Sequence, residues 1–155
     1  MKKRIQVTVM VLTMLFGLFG CGGEARKTIT SLETMTLTVR GMRGTSVYEI
    51  VTDAEKTELL RYREAYVNGE DVRILEKSTL CDTQAMIERM NTCGILRWNG
   101  FHGKHPKNVS DGDMFVFEAS VNHGQTIYAD GSANYPKGYR EFVRALDQLL
   151  SESDG

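Results

Sequence analysis

Residues 114–129, MFVFEASVNHGQTIYA, form the clearest strand pair in the chain. From Phe115 to Val121 an apolar or small side chain recurs at every second position, which is typical of a strand with one buried face. Asn122–Gly124 supplies a short glycine-containing turn, and Gln125–Ala129 returns with the same alternation. Glu118 points to the solvent side of this predicted hairpin, where we expect it to pair with a Lys or Arg.

Four more segments carry strand patterns that we join into two further hairpins. Apolar residues alternate with Thr and Arg from Met35 to Val39, and Val47–Val51 follows after a glycine turn. Thr57–Val67 fits either a helix or a strand. Because the strong hairpin signal Asn68-Gly69 and the β-rich run Val72–Leu80 come next, we predict a strand.

Two segments have the periodicity of helices. Asp82 can cap a helix that ends before Gly94, which fits a left-handed C-cap. Pro136 suits the first turn of a final helix, and that helix has an apolar stripe formed by Tyr139, Phe142, Val143, Leu146, Leu149 and Leu150. The predicted fold class is therefore α+β, an antiparallel β-sheet of about six strands in hairpins with two helices packed on one face.

The first 21 residues have the composition of an export signal. Lys2-Lys3-Arg4 precedes an apolar run from Ile5 to Phe19, which is shorter than the roughly 20 residues that span a bilayer. Leu18-Phe19-Gly20-Cys21 resembles the lipobox of bacterial lipoproteins, and this resemblance implies cleavage after Gly20 and lipid attachment to Cys21. The alternatives are an ordinary secretory signal with an accidental cysteine and a buried N-terminal strand.

The lipoprotein resemblance divides the chain into a signal peptide at 1–20, a lipid-anchored flexible tether at 21–31 and a single α+β domain at 32–152. It implies a domain on the extracytoplasmic side of the cell membrane or envelope, held through the lipid on Cys21. Residues 1–20 carry three of the 19 basic residues and no acid, so 16 basic residues remain against 20 acidic ones. This balance argues against nucleic acid as a partner and leaves another envelope protein as the expected one.

A second resemblance covers mainly the C-terminal third of the chain. Its motifs are Trp98-Asn99-Gly100-Phe101, Asp111-Gly112-Asp113 with Phe115, Gly124 with Ile127 and Ala129, and Pro136 with Tyr139. They are similar to an uncharacterised domain of bacterial, often Gram-positive, envelope proteins. The resemblance supports the strand at Thr57–Val67 and implies no activity, because it includes no catalytic residue to carry over.

The irregular stretch Leu96–Gly112 and the residues just after it contain the candidate ligand-binding side chains. A small ligand groove there could be lined by Trp98, Phe101, His102, His105, Asp111 and Asp113. The histidines and acids are metal-ligand types, but their spacing lacks the tight pairs of a structural zinc site and the HExxH helix of a metalloprotease. We therefore predict no metal and no cofactor.

Cys81 and Cys93 flank the first predicted helix. Twelve residues of helix separate their Cα atoms by about 18 Å, whereas a disulfide needs less than about 7 Å, so helix and bridge exclude each other. We favour the helix, and Cys81 at its N-terminus could have a lowered thiol pKa.

Motifs of covalent catalysis are absent from the sequence, which has no G-x-S-x-G, S-x-x-K or glycine-rich phosphate loop. We therefore predict a non-enzymatic binding or interaction module. The alternatives are a small-ligand or metal-binding lipoprotein that uses the Trp98–Asp113 loop and, below it, a hydrolase or thiol enzyme.

Overall fold

The structure, a computed structural model, describes residues 28–53 and 56–152. The predicted signal peptide, Cys21 and most of the predicted tether lie outside these ranges. The strands are β1 (Leu32–Gly41), β2 (Gly44–Thr52), β3 (Thr57–Val67), β4 (Glu70–Cys81), β5 (Phe101–Gly103), β6 (Met114–Val121) and β7 (Gln125–Ser132). The helices are α1 (Thr83–Cys93) and α2 (Tyr139–Glu152), and Ile95–Trp98 forms a 3₁₀ helix.

All seven strands belong to one sheet in the order β4-β3-β2-β1-β6-β7-β5. Neighbouring strands are antiparallel except β5 and β7, which are parallel. The predicted α+β class is confirmed, but the prediction of six antiparallel strands was wrong because the sheet is mixed and has seven. The sequence missed β5 because three residues are too few to show a period of two.

The ambiguous segment Thr57–Val67 is the strand β3, as predicted. The turn into β4 has positive φ angles at Asn68 (55°) and Gly69 (91°), the conformation for which an Asn-Gly pair is favoured. The predicted caps of α1 are also confirmed. Asp82 accepts a hydrogen bond from the Ala85 N–H at 2.8 Å, and Gly94 has a left-handed φ of 72°.

The hydrophobic core lies on one face of the sheet. Leu37 of the central strand β1 is fully buried between its cross-strand neighbours Tyr48 on β2 and Phe117 on β6. Trp98 packs edge-to-face on Phe117 and on Phe142 of α2, with ring centroids 5.1 and 5.8 Å apart. The buried side chains of α1 and α2 belong to the same cluster, so both helices close this core.

Two asparagine side chains hold the residues that precede β1. Asn91 accepts a hydrogen bond from the Ile29 N–H at 2.8 Å and donates one to the Ile29 carbonyl at 2.9 Å. Asn122 accepts from the Thr30 N–H at 2.7 Å and donates to the Thr28 carbonyl at 3.1 Å. Ile29 itself is buried. Residues 28–31, predicted to be tether, therefore pack as part of the domain.

A polar contact joins α2 to the sheet beside the core. The Tyr48 hydroxyl donates to the Asp147 carboxylate at 2.9 Å, and the Arg61 guanidinium contacts the same carboxylate at 3.3 Å. Burial of the phenol, together with its hydrogen bond to Asp147, raises the pKa of Tyr48 to about 12.

Replacing Leu37 by Ala is expected to lower the free energy of unfolding by about 3 kcal/mol, because the change leaves a cavity at the centre of the core. Urea denaturation followed by far-UV circular dichroism measures the loss. Met42→Ala is the control, since Met42 is 87% exposed and its truncation should change stability by less than about 0.5 kcal/mol. Equal losses in the two variants would contradict the placement of the core.

The pKa of Tyr48 predicts a loss of stability at alkaline pH. The folded state favours the neutral phenol, so its contribution is complete below the unfolded pKa of 10 and is lost as pH rises through the folded pKa of about 12. Tyr48→Phe should therefore make the decline of unfolding free energy between pH 10 and 12 shallower. Tyr66→Phe, at a position that is 74% exposed, is the control and is expected to keep the wild-type dependence of unfolding free energy on pH. An equally shallow decline in this variant would refute the assignment of the effect to Tyr48.

Candidate binding site on the open face of the sheet

The face of the sheet opposite the core is covered by neither α1 nor α2. Val47 lies on this open face, opposite Thr38 of β1 and Tyr62 of β3, and is nevertheless fully buried. Arg73 of β4 borders the same cavity as Thr38, although β2 and β3 separate their strands. The β3–β4 hairpin therefore curls over the open face, as strongly twisted outer strands do.

The curled sheet encloses a cavity of about 500 Å³ over β1, β6 and β7. Its floor consists of three rows of cross-strand neighbours, Thr36–Glu118–Tyr128, Thr38–Val116–Asp130 and Arg40–Met114–Ser132. Three of these side chains offer partly exposed apolar or aromatic surface, with exposed fractions of 38% for Val116, 42% for Tyr128 and 50% for Met114. A concave site with mixed apolar and polar walls is the usual form of a ligand-binding site.

Two of the charged groups at this cavity already have polar partners. The Arg73 guanidinium contacts Glu49 at 2.7 Å and Glu64 at 3.5 Å. The Asp130 carboxylate accepts a hydrogen bond from Nδ1 of His102, which lies next to it on β5. These contacts hold the Arg73 and Asp130 side chains in place at the cavity.

Arg40 and Glu118 are different, because the side chain of neither has an ion-pair or hydrogen-bond partner within residues 28–53 and 56–152. The expectation that Glu118 pairs with a basic residue was therefore wrong. Arg40 lies in one end row of the floor and Glu118 in the other. The cavity thus has a free cation at one end and a free carboxylate at the other.

A serine–histidine contact lies at the Arg40 end of the cavity. His105 Nε2 is 2.6 Å from the Val109 carbonyl oxygen, which can only accept, so Nε2 carries a proton. Nδ1 is 2.8 Å from the Ser132 hydroxyl, and in the neutral imidazole it accepts from that hydroxyl. This arrangement is that of a nucleophile and its base. However, the N–H of Ala133, next to Ser132, donates to the Asp113 carbonyl and cannot stabilise an oxyanion. The contact instead fastens the 104–113 loop to β7.

The six residues of the predicted groove do not surround one cavity. Trp98 is 1% exposed, and its indole N–H donates to the Lys137 carbonyl at 2.9 Å. Phe101 lies on the core face and borders, with Trp98, a separate cavity of about 570 Å³ at the end of α1. His102 is on the opposite face of β5, next to Asp130. The structure therefore keeps Trp98 and Phe101 together but separates them from His102.

The other three residues of that prediction are also apart from the aromatic pair. Asp111 and Asp113 border a shallow cavity of about 730 Å³ beside the Gly41–Gly44 turn. His105 lies in the exposed loop and is bound as described above. In the described part of the chain, no group of three or more His, Cys, Asp or Glu side chains could hold a metal ion.

The motifs of the C-terminal third have structural roles. The Asn99 side chain accepts from the Tyr128 N–H at 3.1 Å, and the Asp113 carbonyl accepts from the Tyr135 hydroxyl at 2.9 Å. At Gly131 an added Cβ would collide with the Asn134 carbonyl oxygen, so only glycine permits this approach. These contacts hold β5, β6, β7 and the segment before α2 in place.

Cys81 and Cys93 are free thiols at the two ends of α1, and both are half-buried. Burial, and after it the neighbouring Asp82 carboxylate, raises the pKa of the Cys81 thiol. Burial and Glu141 do the same for the Cys93 thiol. The suggestion that the helix N-terminus lowers the pKa of Cys81 was therefore wrong, since burial disfavours the thiolate.

Comparison of the chain with protein-family models, curated proteins and solved structures gives no match. Within the described ranges, no helix is long and apolar enough to cross a membrane. The lipobox resemblance remains a prediction because Leu18–Cys21 lies outside those ranges. Function therefore has to be inferred from the geometry of the open-face cavity.

The burial of Trp98 can be tested through its fluorescence, because it is the only tryptophan in the chain. We expect emission blue-shifted from that of free N-acetyl-tryptophanamide and little quenching by iodide until the protein unfolds in urea. The isolated amide in the same buffer is the control. Efficient quenching of the folded protein would show that Trp98 lines an accessible groove, contrary to its placement in the core.

Proposed function

We propose that this protein is a membrane-anchored envelope lipoprotein whose domain is a non-enzymatic binding module, with the open face of the sheet as its binding surface. The observation that carries the proposal is the 500 Å³ cavity on that face, which combines partly exposed apolar side chains with an unpaired cation and an unpaired carboxylate. Groups of this kind at the surface of a stable sheet are available to a ligand rather than used in folding.

The predicted anchor would keep the cavity close to the membrane. Seven residues lie between Cys21 and Ile29, and the eight Cα–Cα steps of a fully extended chain span about 28 Å. The asparagine contacts at Asn91 and Asn122 fix the start of the domain at the end of the sheet that carries the β6–β7 turn. Glu118 lies nearer to that end than Arg40 does, so the cavity would extend away from the bilayer.

The predicted alternatives receive less support from the geometry. A small-ligand or metal site built from the Trp98–Asp113 loop would need its six residues together, and they border different parts of the surface. A thiol enzyme would need a cysteine with a lowered pKa, whereas burial raises the pKa of both Cys81 and Cys93. A binding role needs neither arrangement.

The proposal is tested with a photoreactive amino acid placed on each face in intact cells. Position 116 is at the centre of the cavity floor, and position 148 is on the exposed side of α2. We expect a reproducible adduct from position 116 and not from position 148. The Cys21→Ala change should decrease that adduct about tenfold or more, because it removes the local concentration that the anchor supplies.

Two results would overturn the proposal. If position 116 gives no adduct beyond those of position 148, the open face is not the binding surface. If the Cys21→Ala protein carries as much covalent lipid as the wild-type protein, the protein is not a lipoprotein of the predicted kind. Metabolic labelling with a radioactive fatty acid measures that content directly.

A further inference from the structure

The two unpaired charges of the cavity lie at a defined separation. Glu118 is the cross-strand neighbour of Thr36 on β1, and Arg40 follows Thr36 by four residues on the same strand. With a rise of about 3.4 Å per residue, the two ends of the floor are about 14 Å apart along the strands. A ligand that neutralises both must carry an anionic and a cationic group at a comparable distance.

A short peptide with free termini has this charge pattern. An extended chain also rises by about 3.4 Å per residue, so three or four residues place the terminal ammonium and carboxylate about 10 to 14 Å apart. We propose that the open-face cavity binds an extended peptide of three or four residues, with its carboxylate at Arg40 and its ammonium at Glu118. This inference rests on the proposed function, because it names the ligand of the same surface.

The side chains between the two ends suit such a ligand. The hydroxyls of Thr36 and Thr38 have no hydrogen-bond partner in the part of the chain that the structure describes, so they can bond to the N–H and C=O groups of the peptide. Val116 and Met114 offer partly exposed apolar surface for small side chains. Tyr128 is opposite Glu118, where its ring can contact the ammonium group as well.

Two other ligand classes fit the charges less well. A polyanion would need several free cations, but Arg73 is already bound to Glu49 and Glu64, which leaves Arg40. A neutral saccharide would leave both Arg40 and Glu118 without a counter-charge. A zwitterionic ligand of matching length satisfies both ends at once.

Isothermal titration calorimetry of the whole protein in detergent micelles tests the inference with trialanine. We expect saturable binding at about 1 mM peptide or below. The controls are trialanine with an N-acetyl group, with a C-terminal amide, and with both. Each single cap should weaken binding about three- to tenfold, and the double cap should weaken it further. Equal binding of the free and the doubly capped peptide would overturn the inference.

Variants assign each end of the peptide to its residue. Arg40→Gln should weaken trialanine but not its C-terminal amide, and Glu118→Gln should weaken trialanine but not its N-acetyl form. Arg97→Gln and Glu58→Gln remove charges outside the cavity and should leave every affinity unchanged. The proposed orientation would be contradicted if Arg40→Gln weakened the C-terminal amide as much as free trialanine, or if Glu118→Gln weakened the N-acetyl form as much. Circular dichroism confirms that each variant is folded.

The outcome is separable from that of the proposed function. If trialanine gives no heat up to about 10 mM while position 116 still gives its adduct in cells, the open face binds another ligand class and this inference fails alone. If trialanine does not bind and position 116 gives no adduct, the open face is not a binding surface and both proposals fail.

Discussion

The structure depends on a mismatch between the area of the sheet and the helices available to cover it. The sheet has seven strands, whereas α1 and α2 have 11 and 14 residues. Two helices of that length form a single layer, so they close one face and leave the other to water. The open face can therefore carry polar and charged side chains, as β1 does at Thr36, Thr38 and Arg40. Together with the apolar Val116 and Met114 on β6, they form the surface on which the candidate site is built.

The open face is not a flat sheet surface, because β3 and β4 are long and curl over it. Their curvature buries Val47 and brings Arg73 to the cavity over β1. Glu49 and Glu64 bind Arg73, so the curled hairpin is tied down by ion pairs on its inner side. Exposed ion pairs of this kind contribute little to the free energy of unfolding, but they fix the position of the β3–β4 hairpin beside the cavity. The concavity is thus a property of the outer strands rather than of the residues on the floor.

The motifs that attract attention in the sequence turn out to stabilise the fold. Trp98 and Asn99 use their polar atoms to bond backbone groups of distant segments, and the Asp113 carbonyl accepts from the Tyr135 hydroxyl. A buried aromatic residue with a polar tip is well suited to that task, because it fills the core and satisfies a carbonyl that would otherwise be unpaired. Of the candidate ligand groups, Arg40 belongs to none of the quoted motifs, and Glu118 was predicted only to pair with a basic residue.

The sequence by itself determined the local structure. Alternation, the Asn68-Gly69 turn, the Asp82 cap and Gly94 fixed six strands and two helices, because each signal depends on neighbours a few residues apart. Tertiary structure decided the rest. The short parallel strand β5, the packing of Ile29 beneath Asn91 and the meeting of Arg40, Glu118 and Tyr128 in one cavity all depend on the order and register of the strands. Pairing of the strands joins residues up to about ninety positions apart, and no local pattern encodes which strands become neighbours.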